Sequence, residues 1–288
     1  MNYHFFDFGF VDLLIVAEEH RRRGIGVALL DYLSRQCKTE KLFTSTNESN
    51  TPMRKLLVKA GFIPCGQIDA LDDGDPELFF VKKKSEMNLN IKPLTTDLIA
   101  DYLEFFDNRV FSDGNPCGPC YCNAAVMDNT TLCQMESEFG GDIRGTIRRY
   151  AVKQLNKGQI HGYLAYDGGK PIGWCNAGDM GIYLMNKFDF IPEFARQSKC
   201  GKTISVVCFA IAPEYRGMGV ATALLERVVS DAKEQGFAAV EGYAKVQKNR
   251  VYYDYNGPVR LYEKAGFTEV ATQEGRVVMR KVLEGKGV

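Results

Sequence analysis

The chain has 288 residues, of which 45% are apolar and 25% charged, and its 36 basic residues equal its 36 acidic ones. This is the balance of a protein that buries a core in one large or two modest domains, and zero net charge excludes a global field drawing it to nucleic acid or anionic membrane. No apolar run reaches the roughly 18 residues of a spanning helix, and MNYHFFDFGFVDLL lacks the basic region and small-residue cleavage site of a secretory signal. A cytoplasmic protein is expected. Nine cysteines, an odd count, argue against a secreted disulfide framework.

In chain order, VDLLIVAEEHRRRGIGVALLDYLSRQ (11–36) reads as an apolar strand, a polar turn with Arg and Gly, and an amphipathic helix. LLVKAGF (56–62) ends a second helix at Gly61, and PELFFVKKK is a further strand. KKKSEMNLN (82–90) reads as a linker. Beyond it, Ile91 and Leu94 suggest a strand, and Thr95 or Thr96 would cap a helix with Asp97 in its first turn. In HGYLAYDGGKPIGWCNA (161–177), Asp167-Gly168-Gly169-Lys170-Pro171 marks a hairpin turn. MNKFDFIPEFARQ (185–197) reads as a loop or short helix that covers an acceptor.

SVVCFAIAPEYRGMGVATALLERVVSDAKEQ (205–235) then repeats the strand, turn and helix of 11–36, with Val220, Leu224, Leu225, Val228 and Val229 at helical spacing. LYEKAGF (261–267) repeats LLVKAGF, with Gly266 as its cap, and RVVMRKVL follows as a strand. Two motifs matched in the same order indicate a duplicated fold. The second copy carries about ten extra residues around KVQKNRVYYDYNGP. The expected domains are 1–84, a linker at 85–90, and 91–288. Residues 89–283 read β–α–α–β–β–β–α–β–α–β–β. The first copy begins nearly at its central strand and so is a half-domain. Its sheet edge and apolar face need a partner, either the second domain or another chain, and a homodimer is open.

Strand–Arg-x-x-Gly-x-Gly/Ala–helix has a definite chemistry. Glycines turn the backbone sharply and let a ligand approach without a Cβ in the way. The helix start leaves N–H groups unpaired with the positive dipole end behind them, a cradle for phosphate oxygens. Arg216-Gly217-Met218-Gly219-Val220-Ala221 has this form, as does Arg21-Arg22-Arg23-Gly24-Ile25-Gly26. A ligand with a pyrophosphate is implied. The G-x-G-x-x-G of a dinucleotide fold and the Gly-Lys-Ser/Thr of a P-loop are not visible.

This turn, its preceding strand and the LYEKAGF helix together resemble the GNAT acetyltransferase superfamily, over nearly all of 89–283 and over the later half of the fold in 7–84. The resemblance implies an α+β fold, a mixed, mostly antiparallel sheet with a splayed central strand pair and flanking helices. It implies acetyl-CoA or coenzyme A in the cradle, with pantetheine beside Phe209, Ala210 and Ile211, where a backbone N–H would stabilise the oxyanion. It places Tyr262 as the acid that protonates the departing thiolate, whose pKa is not far from the ~8.5 of cysteine. It implies direct transfer of acetyl to a small-molecule or peptide amine, without an enzyme nucleophile. Glu241 is either the general base, acting through water, or a surface carboxylate; Glu214 reads as a solvated turn residue. In the first copy Leu57 replaces the Tyr. Asn47 and Asn50 there resemble pantetheine-contacting asparagines. Residues Arg21, Arg22, Arg23, Gly24, Gly26 and Asn50 are thus a second cofactor site or part of a degenerate lid, and the degenerate reading is preferred.

NPCGPCYC (115–122) admits three readings. Cys117-Gly-Pro-Cys120 spells a thioredoxin motif, but without the strand that precedes one. Cys117, Cys120 and Cys122 with Cys133, Cys175 or His161 would make a zinc site, but no second paired motif completes it. The preferred reading has no metal: Cys120 and Cys122 line an acceptor pocket facing Trp174, Cys175 and Asn176. Tyr252, Tyr253 and Tyr255, with Lys248 and Arg250, read as an active-site rim rather than a nucleic-acid platform. A coenzyme A sensor without turnover, and a redox or metal switch built on the cysteines, are the alternatives from other classes.

Overall fold

A computed structural model describes residues 1–83, 87–115, 118, 120–197, 201–246 and 255–283. The chain forms two compact units, Met1–Met87 and Asn88–Val288.

The first unit contains β1 (Asn2–Phe5), β2 (Phe8–Val11), α1 (Ile25–Gln36), β3 (Lys41–Asn47), α2 (Thr51–Lys59), β4 (Ile63–Ile68) and β5 (Glu77–Lys83), its strands ordered β1-β2-β3-β5-β4. β2 and β3 run parallel, and the other neighbours are antiparallel. The copy does not start at its central strand: β1 precedes it, through a tight turn with Phe6 and Asp7 both at positive φ. Such a turn is normally signalled by Asn or Gly, which is why the sequence pattern hides it. One sheet face packs against the helices through Val11, Leu30, Leu42, Leu57, Phe62 and Phe80. The other carries Phe5, Phe8, Phe10, Phe43 and Phe79, with ring centroids 4.9 to 6.4 Å apart.

The second unit contains β6 (Leu89–Pro93), α3 (Ile99–Glu104), α4 (Asn129–Ser137), α5 (Ile143–Asn156), β7 (Gly162–Asp167), β8 (Lys170–Asp179), α6 (Glu193–Gln197), β9 (Thr203–Ile211), α7 (Val220–Glu234), β10 (Ala239–Lys245), α8 (Val259–Lys264), β11 (Thr268–Gln273) and β12 (Arg276–Val282). Its strand order is β11-β12-β10-β9-β8-β7-β6. The first five repeat the order of the first unit, and β7, β6 and α3–α5 are additions. β6 begins at Leu89, inside the stretch read as linker. One helix went unread as a separate element, α4, capped by Asp128 on the Thr131 N–H, whereas the short α6 lies within 185–197, the stretch read as a loop or short helix. Asp142 caps α5 through the Gly145 N–H. Thr95 makes no side-chain cap; a 3₁₀ turn over Thr96–Leu98 leads into α3 instead. α3 runs on into a π-helical turn over Phe105–Arg109, a widening common at functional sites. The β7–β8 turn has Gly168 at φ 55° and Gly169 at φ 85°, the twist that two-residue hairpins need. No helix among the described residues is long and apolar enough to cross a membrane.

Candidate active site

The site begins where two parallel strands stop pairing. β9 and β10 are in register from Thr203↔Ala239 to Val206↔Gly242, and the register ends there. On the other side of β9, Ala177 of β8 faces Val206 while Asn176 faces Cys208, so Val207 is one extra residue in its strand. Such a bulge bends the strand and increases its twist. β10 meanwhile stays with β12 as far as Lys245↔Arg276. The two central strands therefore splay, and the edge of β9 from Val207 onward faces a wedge. Tyr255 and Asn256 occupy that edge: the Phe209 N–H donates to the Tyr255 carbonyl at 2.6 Å, and Asn256 Nδ2 donates to the Val207 carbonyl at 3.0 Å.

At its C-terminal end β9 enters the turn that starts α7. Gly217 and Gly219 sit at φ 78° and 85°, and α7 begins at Val220 with no side chain capping its first turn. A Cβ built on Gly219 meets nothing within 4 Å. An uncapped helix start opening onto clear space fits a phosphate group. The Arg216 side chain points elsewhere: it donates to the Ile211 carbonyl at 3.1 Å, to Asp113 at 2.6 Å and to the Val110 carbonyl at 3.2 Å. It thus staples the turn to the segment after the π turn. Glu214, read as solvated, is ion-paired with Arg109 at 2.5 Å.

Tyr262 is placed by the end of α8. Gly266, at φ 78°, donates its N–H to the Glu263 carbonyl, and the Phe267 N–H returns to the Tyr262 carbonyl at 3.0 Å. This is a Schellman closure, which brings together the residues before and after the cap; the Tyr262 and Phe267 rings lie 5.5 Å apart. KAGF is therefore the sequence form of a helix stop that fixes Tyr262. Its ring lies over Gly242, where a Cβ would come within 2.1 Å of it, and 6.3 Å from the ring of Phe209. The hydroxyl donates to the Asn256 carbonyl at 2.6 Å. Phe209 and Tyr262 thus direct donors at two consecutive carbonyl oxygens in the mouth of the splay.

Glu241 is not a surface carboxylate. It is fully buried on β10, its Oε1 held by Arg280 at 2.5 and 2.6 Å and its Oε2 accepting from the Tyr243 hydroxyl at 3.3 Å. That hydroxyl also bonds Ser205 Oγ at 2.6 Å. Burial raises the Glu241 pKa, and the charge and hydrogen bonds of Arg280, then the Tyr243 hydrogen bond, offset only part of the rise.

Trp174 and Asn176, expected along an acceptor pocket, lie inside the core: Trp174 is fully buried, and Asn176 bonds the Cys122 carbonyl and the Tyr183 hydroxyl. Cys122 is buried with its Sγ 3.5 Å from Cys208, whereas Cys120 is exposed. Cys175 is buried, which pushes its thiol pKa up. Cys117, Lys248, Arg250, Tyr252 and Tyr253 lie outside the described residues. Among the described residues, no group of three or more His, Cys, Asp or Glu could hold a metal. Among the described residues, a cleft of about 420 Å³ is lined by Phe106, Asp107, Phe111, Asn115 and Arg144.

The family model described as the acetyltransferase (GNAT) family matches this chain over residues 1–62 and 130–267, more than half its length. The chain belongs to the GNAT acetyltransferase family. A GNAT-family acetyltransferase from Bacillus cereus is 46% identical over 29% of this chain and 58% of its own, with a TM-score of 0.28; this chain thus spans less than two thirds of that relative. The Salmonella typhimurium protein yncA, solved with its cofactor acetyl-CoA, is 16% identical over 69% of this chain and 96% of its own, TM-score 0.40. The ribosomal-protein-S18-alanine N-acetyltransferase of Escherichia coli is 14% identical over 69% and 96%, TM-score 0.36. No curated protein matches.

Within this GNAT chain the first unit repeats several details of the second. Arg21 donates to the Val16 carbonyl at 3.0 Å as Arg216 does to Ile211, and Gly24 starts α1 at φ 82°. Arg22 stands where the second copy has Gly217, at φ 62°. Parallel pairing ends at Val11↔Thr44. Gly26 is packed beneath Leu56, since a Cβ there would meet that side chain at 3.0 Å. Leu57 is buried in the position of Tyr262. Asn50 caps α2 through the Met53 N–H, and Asn47 donates to Asp72 at 2.7 Å. The sequence did not reveal the Val207 bulge, the Arg216 staple or the need for Gly242, because each is a relation between segments distant in the chain. Only Tyr255, read as a rim residue, carried a signal.

Proposed function

We propose that the second unit binds acetyl-CoA and transfers its acetyl group directly to a small-molecule or peptide amine. One observation carries this reading: the Phe209 N–H and the Tyr262 hydroxyl converge on adjacent oxygens in the splay, beside an open helix N-terminus. A thioester carbonyl at the first position would have its developing negative charge stabilised by the Phe209 N–H. A thiolate leaving at the second would receive the Tyr262 proton. The N–H groups of Met218, Gly219, Val220 and Ala221 would hold the pyrophosphate, with Ala210 and Ile211 alongside the pantetheine. Arg216 keeps the turn in shape. Acetyl-CoA supplies the activated acetyl group, and the chain orients it and manages the protons.

Glu241 would draw the amine proton through Tyr243, which lies one residue past the point where the strands part. A carboxyl whose pKa burial raises above its ordinary value accepts a proton more readily than an exposed one. The first unit has Leu57 in place of the acid and does no chemistry, and its asparagines have structural partners, so its cradle is a degenerate copy. Calorimetric titration of acetyl-CoA into the wild type and Gly219→Glu tests the assignment. The wild type should take up about one equivalent and the variant none. A variant that keeps a full site would move cofactor binding to the first unit.

A further inference from the structure

The segment that covers the edge of β9 makes its contacts at the positions a bound thioester would take. We propose that Tyr255 and Asn256 are an internal plug, which acetyl-CoA must displace in order to bind. The inference rests on the cofactor reading above and adds a competition that the reading does not contain.

Three hydrogen bonds define the plug. The Tyr255 carbonyl takes the Phe209 N–H at 2.6 Å, the Asn256 carbonyl takes the Tyr262 hydroxyl at 2.6 Å, and Asn256 Nδ2 reaches the Val207 carbonyl at 3.0 Å. A strand edge left open past the splay would hold unpaired backbone groups in a partly buried wedge, which is costly. The segment pairs them as an added strand would. One N–H makes one good hydrogen bond, so the plug and a thioester carbonyl cannot share Phe209.

The plug is also anchored on its far side. Asn115 Nδ2 donates to the Tyr255 hydroxyl at 2.6 Å, and the rings of Tyr255 and Phe111 lie 6.4 Å apart. Asn115 and Phe111 line the cleft of about 420 Å³ beside the splay. Withdrawing Tyr255 would therefore clear the thioester position and change one wall of that cleft together. Acetyl-CoA would then bind first and prepare the cleft for the acceptor. Gly257, at φ 80°, separates the plug from Pro258, the N-cap of α8, and gives the backbone a pivot that leaves Tyr262 in place.

A plugged enzyme binds cofactor with an apparent affinity reduced by the fraction of molecules that are open. Tyr255→Phe removes the hydroxyl bond to Asn115 and should tighten acetyl-CoA binding by roughly fivefold, the equivalent of one ordinary hydrogen bond. Tyr255→Ala also removes the ring contact and should tighten it by roughly tenfold or more. In the same proteins without ligand, hydrogen exchange at the Phe209 amide should quicken in the order wild type, Phe, Ala. Equal affinities across the three proteins, or unchanged exchange at Phe209, would overturn the plug and leave the cofactor reading standing. Absence of binding in all three would overturn the cofactor reading, and the plug with it. If Tyr255→Ala fails to fold, as reported by Trp174 fluorescence, Tyr255→Phe decides.

Discussion

Replacing Tyr262 with Phe separates what its ring does from what its hydroxyl does. The ring is fully buried between Gly242, Phe209 and Phe267, and Phe retains all of that packing. Among the described residues, the hydrogen bond lost is the one from the hydroxyl to the Asn256 carbonyl at 2.6 Å. An ordinary hydrogen bond contributes about 0.5–1.5 kcal/mol net. In a unit of this size that corresponds to a fall in Tm of roughly 2–4 °C per kcal/mol. The chain's single tryptophan, Trp174, lies in the second unit, so its fluorescence follows the unfolding of that unit. The rate should fall far more than stability, because losing a positioned general acid costs on the order of 10²–10⁴-fold. Single-turnover transfer from acetyl-CoA, with the acceptor saturating, reads that step directly. Acetyl-CoA affinity should tighten by up to roughly fivefold, since the variant removes one hydrogen bond to the plug. A single-turnover rate within about threefold of wild type would refute the acid role. A large fall in Tm with a matching loss of activity would show that the hydroxyl matters only to the fold.

Gly242→Ala should harm catalysis by the opposite route: its Cβ would lie within 2.1 Å of the Tyr262 ring, so the ring must move, at a cost of about 1–3 kcal/mol. Its single-turnover rate should approach that of Tyr262→Phe, and a wild-type rate would show that the placement of Tyr262 is not critical. For Glu241, burial raises the folded-state pKa, so between the ordinary carboxylate value and the raised one the folded chain holds a proton that the unfolded chain has released. Its stabilising contribution is fullest below the ordinary carboxylate value and declines as pH rises through the elevated one. Glu241→Gln should therefore abolish a fall in stability with rising pH that wild type shows across that window, measured by urea unfolding with Trp174 fluorescence; identical pH slopes would refute it. If Glu241 also draws the amine proton, the same variant loses the acidic limb of the kcat/KM profile, whereas a purely structural role lowers stability and leaves the profile's shape intact.

What the residues encoded locally was legible without a structure. The paired KAGF motifs, the Arg-x-x-Gly-x-Gly/Ala turn and the Asp167–Lys170 hairpin are defined within a few residues, by positive φ, helix-end bonding and strand alternation. They disclosed the duplication, the family fold and the positions of Gly219 and Tyr262. The strand β1 escaped because a Phe-Asp pair fills a turn usually marked by Gly or Asn. The acceptor-pocket reading of Trp174 and Asn176 came from their strand, whose alternation gives the face but not what covers that face. Helix α3 and the segment after it bury both residues, and Cys122 and Tyr183 engage Asn176. The burial of Glu241 against Arg280 is likewise a matter of neighbours, set by β12 lying beside β10. The splay itself needed the tertiary structure, because one extra residue at Val207 has meaning only against the register of β8. So did the convergence of Phe209, Tyr262 and Tyr255, which are brought together by a sheet edge that must find hydrogen-bond partners wherever the chain can supply them.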